Sequence, residues 1–98
     1  MLALQSYTFY FETVGKLTQI FDFGSTIRNY DAALQGFEFK FDTKNDNNVE
    51  IMAAEITNII LSNDRTQVTI EANFDFKDHQ SNLGSGLIDI VVMADLEN

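Results

Sequence analysis

The stretch QVTIEANFDFK, residues 67–77, decides the fold class, because apolar and polar side chains alternate along its whole length. Successive side chains of an extended strand point to opposite faces, so this pattern produces one apolar face and one polar face. The expected inward residues are Val68, Ile70, Ala72, Phe74 and Phe76, and the expected outward residues are Thr69, Glu71, Asn73, Asp75 and Lys77. The stretch therefore predicts a half-buried β-strand.

The phenylalanines extend this argument to the rest of the chain. Each of the nine has another phenylalanine two residues away, in the groups Phe9/Phe11, Phe21/Phe23, Phe37/Phe39/Phe41 and Phe74/Phe76. Residues i and i+2 share a face in a strand, whereas in a helix they point about 200° apart. The paired rings predict several strands, each with an aromatic face turned toward a common core.

Six strand candidates occur at roughly regular spacing, at residues 5–12, 17–23, 30–42, 49–61, 67–77 and 87–96. We expect the first two to form an N-terminal hairpin, Ile27 to Asn29 to be loop, and Ser62 to Arg65 to be a hairpin turn. The chain is therefore expected to be all-β, a single domain over residues 1–98 with the form of a compact antiparallel β-sandwich or small barrel.

Residues 30–42 and 49–61 each depart from simple alternation. In the first, apolar positions change from even to odd numbers at Gly36, which predicts a β-bulge or a strand that crosses between sheets. The second also fits a helical stripe. Its β-branched residues and its β neighbours favour a strand, with a helix as the alternative. The apolar stripe consists of Val49, Met52, Ala53, Ile56, Ile59 and Ile60.

The composition excludes several classes of partner and site. Fifteen acidic and six basic residues give a formal charge of −9, and the basic residues form no cluster, so we expect no binding to nucleic acid or to anionic membranes. The absence of cysteine excludes disulfides and cysteine-ligated zinc. No apolar run approaches about 20 residues and the start lacks a basic segment, so we expect a soluble protein without a standard signal peptide or membrane span. The compartment is not predicted.

The last strand candidate, residues 87–96, is apolar on both faces apart from Asp89 and Asp95. Ile88, Ile90, Val92, Ala94 and Leu96 share one face, and Leu87, Val91 and Met93 lie on the other. A strand of this kind is either central in a covered sheet or part of a subunit contact. Because a domain of this size has little material to cover both faces, we predict a symmetric homo-oligomer that associates through Leu87, Val91 and Met93.

The loop that begins at Asp78 is the candidate ligand site. It clusters hydrogen-bond donors and acceptors at a sandwich end and contains the chain's one histidine; the candidate residues are Asp78, His79, Gln80, Ser81 and Asn82. The alternative is a solvated loop that caps strand ends through side-chain turns. Gly84 to Gly86, which follow, are interpreted as flexible chain, since no phosphate-loop lysine or helix accompanies them.

Two further sites have plainer alternatives. Oxygen-bearing side chains between Asp42 and Glu50 could bind calcium, but their spacing does not match an EF-hand loop, so an ordinary polar turn is favoured and no metal site is predicted. Tyr10, with Tyr7 or Tyr30, could stack on a sugar ring, although tyrosines in sheets are more often cross-strand partners. No set of residues forms a catalytic group, so we expect neither an enzyme nor a cofactor.

The layout of six short strands, with a last strand that contains IVVMAD (residues 90–95) after a polar loop, resembles the H-type lectin domains over residues 5–96. The resemblance implies a six-stranded, sugar-binding, trimeric sandwich. The family's strand-end tryptophans are missing here, so no family binding residue is transferred. We predict a non-catalytic binding module with carbohydrate as the candidate ligand, acting as a homo-oligomer. The alternative is a structural or assembly subunit, of the phage or secretion-apparatus type, without a small-molecule ligand.

Overall fold

The computed structural model describes residues 1–41 and 48–97, which form six β-strands. The strands are β1 (Leu2–Phe11), β2 (Gly15–Asp22), β3 (Ile27–Lys40), β4 (Val49–Leu61), β5 (Gln67–Asp78) and β6 (Ser85–Leu96). The all-β prediction is confirmed, and of the two predicted forms the chain adopts the sandwich. No helix that could cross a membrane occurs in the described part of the chain.

The strands form two antiparallel three-stranded sheets. Sheet A has the order β1-β6-β3 and sheet B the order β2-β5-β4, so the two hydrophobic strands β6 and β5 are central. The inward faces of these two strands are fully or nearly fully buried and make up most of the core. The alternation predicted for residues 67–77 is therefore confirmed, because β5 packs one face against the other sheet.

The predicted N-terminal hairpin is wrong. β1 pairs with β6 in sheet A, whereas β2 pairs with β5 in sheet B, so the short connection between β1 and β2 crosses from one sheet to the other. The predicted loop at Ile27 to Asn29 is also wrong, since β3 begins at Ile27 and that side chain is fully buried. Local alternation identifies strands, but it does not identify the strand with which each one pairs.

The predicted bulge at Gly36 is confirmed. The register of β3 against β6 shifts between Leu34 and Gly36, which keeps Leu34 and Phe37 on the inward face. Residues 49–61 form a strand, as favoured, and their register against β5 shifts twice, between Val49 and Ile51 and between Ile56 and Asn58. These shifts turn Val49, Met52, Ile56 and Ile59 inward together, although their spacing resembles that of a helix.

Aromatic rings concentrate at the end of the sandwich where β5 ends and β6 begins. Phe11 and Phe39 of sheet A each stack on Phe74 of sheet B with centroids 5.0 Å apart, and Phe41 stacks on Phe76 at 4.1 Å. Offset stacks of this kind are worth about 0.5–1.5 kcal/mol beyond the burial of their area. The rings therefore join the sheets at the end that carries the candidate site.

Candidate functional site

A cleft of about 450 Å³ opens on the outer face of sheet A, at the end where β6 begins. Tyr10 of β1 forms one wall, and its side chain is 71% exposed. Glu38 and Lys40 of β3 form the opposite wall. The remaining lining residues come from the end of β1, the residue after it and the first residues of β6: Phe11, Glu12, Ser85, Gly86 and Leu87.

The cleft exists because the central strand begins with small residues while its neighbours carry long ones. Ser85 pairs with Lys40, and Gly86 pairs with both Phe11 and Phe39. A Cβ atom at Gly86 would lie 1.8 Å from the carbonyl oxygen of Glu38 and 2.9 Å from the Phe74 ring. Glycine is therefore required at this position by close packing against β3 and the Phe74 ring, and the outward-facing Ser85 and Leu87 lie between the two walls.

Gly84 is under the same constraint. A Cβ atom there would lie 2.1 Å from the Phe76 ring and 2.8 Å from the carbonyl oxygen of Lys40. Its backbone N–H donates to the carbonyl of Phe76 at 2.9 Å. The interpretation of residues 84–86 as flexible chain is therefore wrong, because both glycines are held against neighbouring strands and rings.

A second hollow, of about 380 Å³, lies on the other side of the Tyr10–Glu12 ridge and is lined by the β1–β2 connection, Lys16 and Leu17. The two hollows share Tyr10, Phe11 and Glu12. An exposed ring between two polar hollows offers an apolar stacking surface with carboxylates and an ammonium group within reach on both sides. This arrangement suits a ligand with an apolar face and a rim of hydroxyl groups.

The loop residues predicted as the ligand site form a turn organised by Asp78. Its side chain is 2% exposed and accepts hydrogen bonds from the backbone N–H of Gln80 at 2.9 Å and of Asn82 at 2.8 Å. The Asn82 side-chain amide donates to the other carboxylate oxygen at 2.9 Å. The Asp78 carboxylate therefore shapes the loop from inside, which agrees with the plainer interpretation as a capping turn.

The other four residues of that loop, His79, Gln80, Ser81 and Asn82, are exposed. The His79 backbone N–H donates to the carbonyl of Asn48 at 3.0 Å, which ties the loop to the residue before β4. Ser81 has a φ of 64°, the left-handed conformation of a tight turn. Their role in ligand binding stays a prediction, and a loop variant is included in the binding experiment below.

Of the three tyrosines considered for sugar stacking, only Tyr10 faces the cleft. Tyr7 points inward and meets the rings of Phe9 and Phe21 edge to face, at 5.0 and 6.3 Å. Tyr30 pairs with Ala94 on the inward side of β3, far along the strand from the cleft. Sequence reasoning named Tyr10 but missed Glu12, Glu38 and Lys40, because only the sheet order brings β1 and β3 to either side of β6.

Titration and metal binding add no further site within the described residues. The two carboxyls with clearly lowered pKa values lie at the opposite end of the sandwich, and Asp64 is exposed whereas Asp95 is half-buried. Within residues 1–41 and 48–97, no three histidine or acidic side chains are grouped so as to hold a metal ion. Most of the predicted calcium candidate, between Asp42 and Glu50, lies outside the described residues.

The residues predicted to form a subunit contact, Leu87, Val91 and Met93, lie on the outer face of sheet A and are half-buried. Leu4 of β1 is directly opposite Met93, and Ala33 of β3 is directly opposite Val91. The corresponding outer face of β5 carries only polar side chains, namely Gln67, Thr69, Glu71, Asn73, Asp75 and Lys77. The outer face of β6 therefore mixes these apolar side chains with Ser85, Asp89 and Asp95, whereas the outer face of β5 is wholly polar.

Comparisons with protein-family models, with curated proteins and with solved structures found no match to this chain.

Proposed function

We propose that this β-sandwich is a non-catalytic carbohydrate-binding module and that the Tyr10 cleft is its binding site. The observation that carries the proposal is the Tyr10 ring, which stands 71% exposed at a cleft with Glu38 and Lys40 opposite. When the Tyr10 ring packs against an apolar face of a ligand, water is excluded from both surfaces. The charged side chains of the cleft then bind hydroxyl groups of the ligand. The cleft volume lies within the usual range for small-ligand sites, about 300–1,000 Å³.

The negative charge of the protein restricts the kind of carbohydrate that the cleft is proposed to bind. The chain has a formal charge of −9, and two carboxylates against one ammonium group line the cleft. A field of this sign repels sialylated and sulfated sugars. The proposed ligands are therefore neutral glycans, and the second hollow beside Tyr10 leaves room for more than one sugar unit.

The module acts as a symmetric homo-oligomer in this proposal, because several weak sites bind a multivalent glycan far more tightly than one. The contact through Leu87, Val91 and Met93 stays a prediction, because these residues alternate with Ser85, Asp89 and Asp95 on the outer face of β6 and Leu87 also lines the Tyr10 cleft.

The test is a glycan array with wild-type protein and four variants. We expect signal on neutral glycans and at least an approximately fivefold loss for Tyr10→Ala, since losing a stacking ring costs about 1 kcal/mol or more. Tyr10→Phe retains the ring and should bind nearly as wild type. Ile20→Ala, at an exposed apolar position on the outer face of sheet B, is the control and should bind as wild type.

The fourth variant, His79→Ala, distinguishes ligand binding in the cleft from ligand binding at the loop that begins at Asp78. Loss of signal in this variant with normal binding by Tyr10→Ala would assign the ligand to the loop that begins at Asp78 and overturn the cleft. Absence of glycan signal, combined with large assemblies in solution, would favour the alternative function, a structural or assembly subunit whose interfaces are its whole activity.

A further inference from the structure

The two long sides of the sandwich differ in the residues that their edge strands turn inward. On the β1–β2 side, the inward positions include Gln5 and Gln19, opposite Val92 and Ile70. On the β3–β4 side, which we name the β3–β4 seam, they are apolar or tyrosine throughout. The seam consists of Tyr30, Ala32, Leu34, Phe37 and Phe39 of β3 and of Val49, Met52, Ala54, Ile56, Ile59 and Leu61 of β4.

Several seam residues occupy core-facing positions and are nevertheless exposed. Phe37 and Met52 are each 57% exposed, and Tyr30 and Leu34 are each 39% exposed. Their inward neighbours on β3 and β4, such as Phe39 and Ile56, are half-buried against the core. The seam is thus an open margin of the hydrophobic core, and contiguous apolar surface of this kind marks an interaction site.

The edge backbone disfavours the addition of a further strand along this side. Both β3 and β4 contain two register shifts, whereas the described pairings of β1 and β2 contain none. Bulges bend and twist an edge strand, so an extended segment cannot pair along its length. A partner would have to cover the seam with side chains, surface against surface.

We infer that the occupant of the β3–β4 seam is a second copy of this chain, so that the seam is the contact of the oligomer. This inference rests on the oligomeric part of the proposed function. Two copies that each carry a charge of −9 repel one another, and a contact that is itself nearly uncharged brings no further like charges together. The seam meets this condition, because its inward positions carry no charged side chain.

The acidic residues that flank the seam on β4 have partners within the chain, and the charge of Glu50 is compensated by Lys77. Glu50 lies 3.6 Å from the ammonium group of Lys77, and Glu55 accepts a hydrogen bond from the side-chain amide of Asn73 at 3.1 Å. Both partners belong to β5 and so stay in place when the seam is covered. Like-charge repulsion along this flank is thereby reduced.

The size of the flank agrees with a contact between copies. The molecule measures 55 × 20 × 16 Å, and a side 55 Å long and 16 Å wide has an area of about 900 Å². Contact over the whole of this side would bury about 1,800 Å² in total, so the side is large enough for the about 1,200–2,000 Å² that specific complexes bury. The seam also lies away from the outer face of sheet A, so the Tyr10 cleft stays open, whereas a contact centred on Leu87 would cover it.

Sedimentation velocity between 1 and about 100 μM tests the inference. We expect wild-type protein to associate, and Phe37→Gln and Met52→Gln each to weaken association at least about tenfold, since buried anchors dominate such contacts. Ile20→Gln, 56% exposed on the outer face of sheet B, and Met93→Gln, on the outer face of sheet A, should associate as wild type. Thermal melts verify folding, and Met52→Gln decides the matter if Phe37→Gln does not fold.

Three results would overturn the inference: a wild-type monomer at the highest concentration, unchanged association of Met52→Gln, or loss of association in Met93→Gln alone. The last would assign the contact to the outer face of β6 and leave the proposed oligomer in place. Tyr10-dependent glycan binding by a monomeric wild type would refute the seam contact and retain the binding site. The outcomes for the seam and for the cleft are therefore distinguishable.

Discussion

The ring of Phe11 lies stacked on the ring of Phe74, with centroids 5.0 Å apart and an angle of 13° between the ring planes. Phe11 ends β1 in sheet A, and Phe74 lies in the central strand of sheet B. Phe39 of β3 stacks on the same Phe74 ring at 5.0 Å and 19°. Phe74 therefore links both edge strands of sheet A to sheet B, beneath the floor of the candidate site.

Replacing Phe74 should destabilise the fold strongly. Phe74→Ala removes a ring that is 1% exposed and two stacked contacts, so the free energy of unfolding should fall by about 3–5 kcal/mol. Urea denaturation followed by circular dichroism measures the change. Tyr10→Ala, the matched removal of an exposed ring, should cost less than about 1 kcal/mol. Equal losses in the two variants would refute the linking role.

Gly86→Ala should be among the most damaging small substitutions. Its Cβ would lie 1.8 Å from the carbonyl oxygen of Glu38, a backbone atom that cannot move alone, so the unfolding free energy should fall by at least about 2 kcal/mol. Gly36→Ala is the matched control. The nearest atom to a Cβ there is a carboxylate oxygen of Asp89 at an ordinary 3.7 Å, and the change should be within about 1 kcal/mol.

Asp78→Ala should loosen the loop between β5 and β6. It removes the carboxylate that accepts from Gln80 and Asn82 at 2.9 and 2.8 Å, and leaves those backbone donors without their acceptor. We expect a loss of about 1–3 kcal/mol and faster amide exchange in residues 79–84. Asp75→Ala, on the outward face of the same strand, is the control and should leave that exchange unchanged.

Asp64 should make a pH-dependent contribution at the turn between β4 and β5. The Ser62 hydroxyl at 2.7 Å, and then the Thr66 hydroxyl at 2.8 Å, hold the pKa of the Asp64 carboxyl below its ordinary value. A lowered folded-state pKa stabilises the fold at neutral pH, and this stability is lost as the pH falls through that pKa, below about pH 4.

Asp64→Asn removes this titration. The wild type should melt at a higher temperature than the variant at pH 7, and the difference should shrink as the pH is lowered below about 4. Asp75→Asn is the control, since Asp75 lies on the outward face of β5, away from this turn. A difference that is constant from pH 7 to pH 2.5 would contradict the expected linkage.

One sequence pattern in β4 is produced equally well by a helix and by a bulged strand. It is the spacing of the apolar residues Val49, Met52, Ile56 and Ile59. A helix brings such residues together by its period of 3.6, whereas in β4 two register shifts each insert one residue and restore inward orientation. The shift in β3 between Leu34 and Gly36 was predictable because Gly36 stands at the change of parity. In β4 no glycine marks either shift, so residue types alone left both interpretations open.

The candidate site was predictable only in part. The sequence indicated Tyr10, an aromatic residue on the polar face of a strand. It also indicated the loop that begins at Asp78, which is rich in hydrogen-bond donors and acceptors. Glu38 and Lys40 gave no signal, since alternating charges on a strand are ordinary outward residues. Glu38 and Lys40 become part of a cleft because β6 separates β1 from β3 and begins with Ser85 and Gly86.

Side-chain alternation by itself determined that this chain is built of strands, which residues of β5 and β6 face inward, and that β3 bulges at Gly36, because these properties depend on neighbours two residues apart. Tertiary structure alone decided that β1 and β2 separate into different sheets, that Gly84 and Gly86 are packed against rings, and that Tyr10 borders a cleft. Those outcomes depend on contacts between residues distant in the chain, and such contacts are selected by the packing of the whole core rather than by any local pattern.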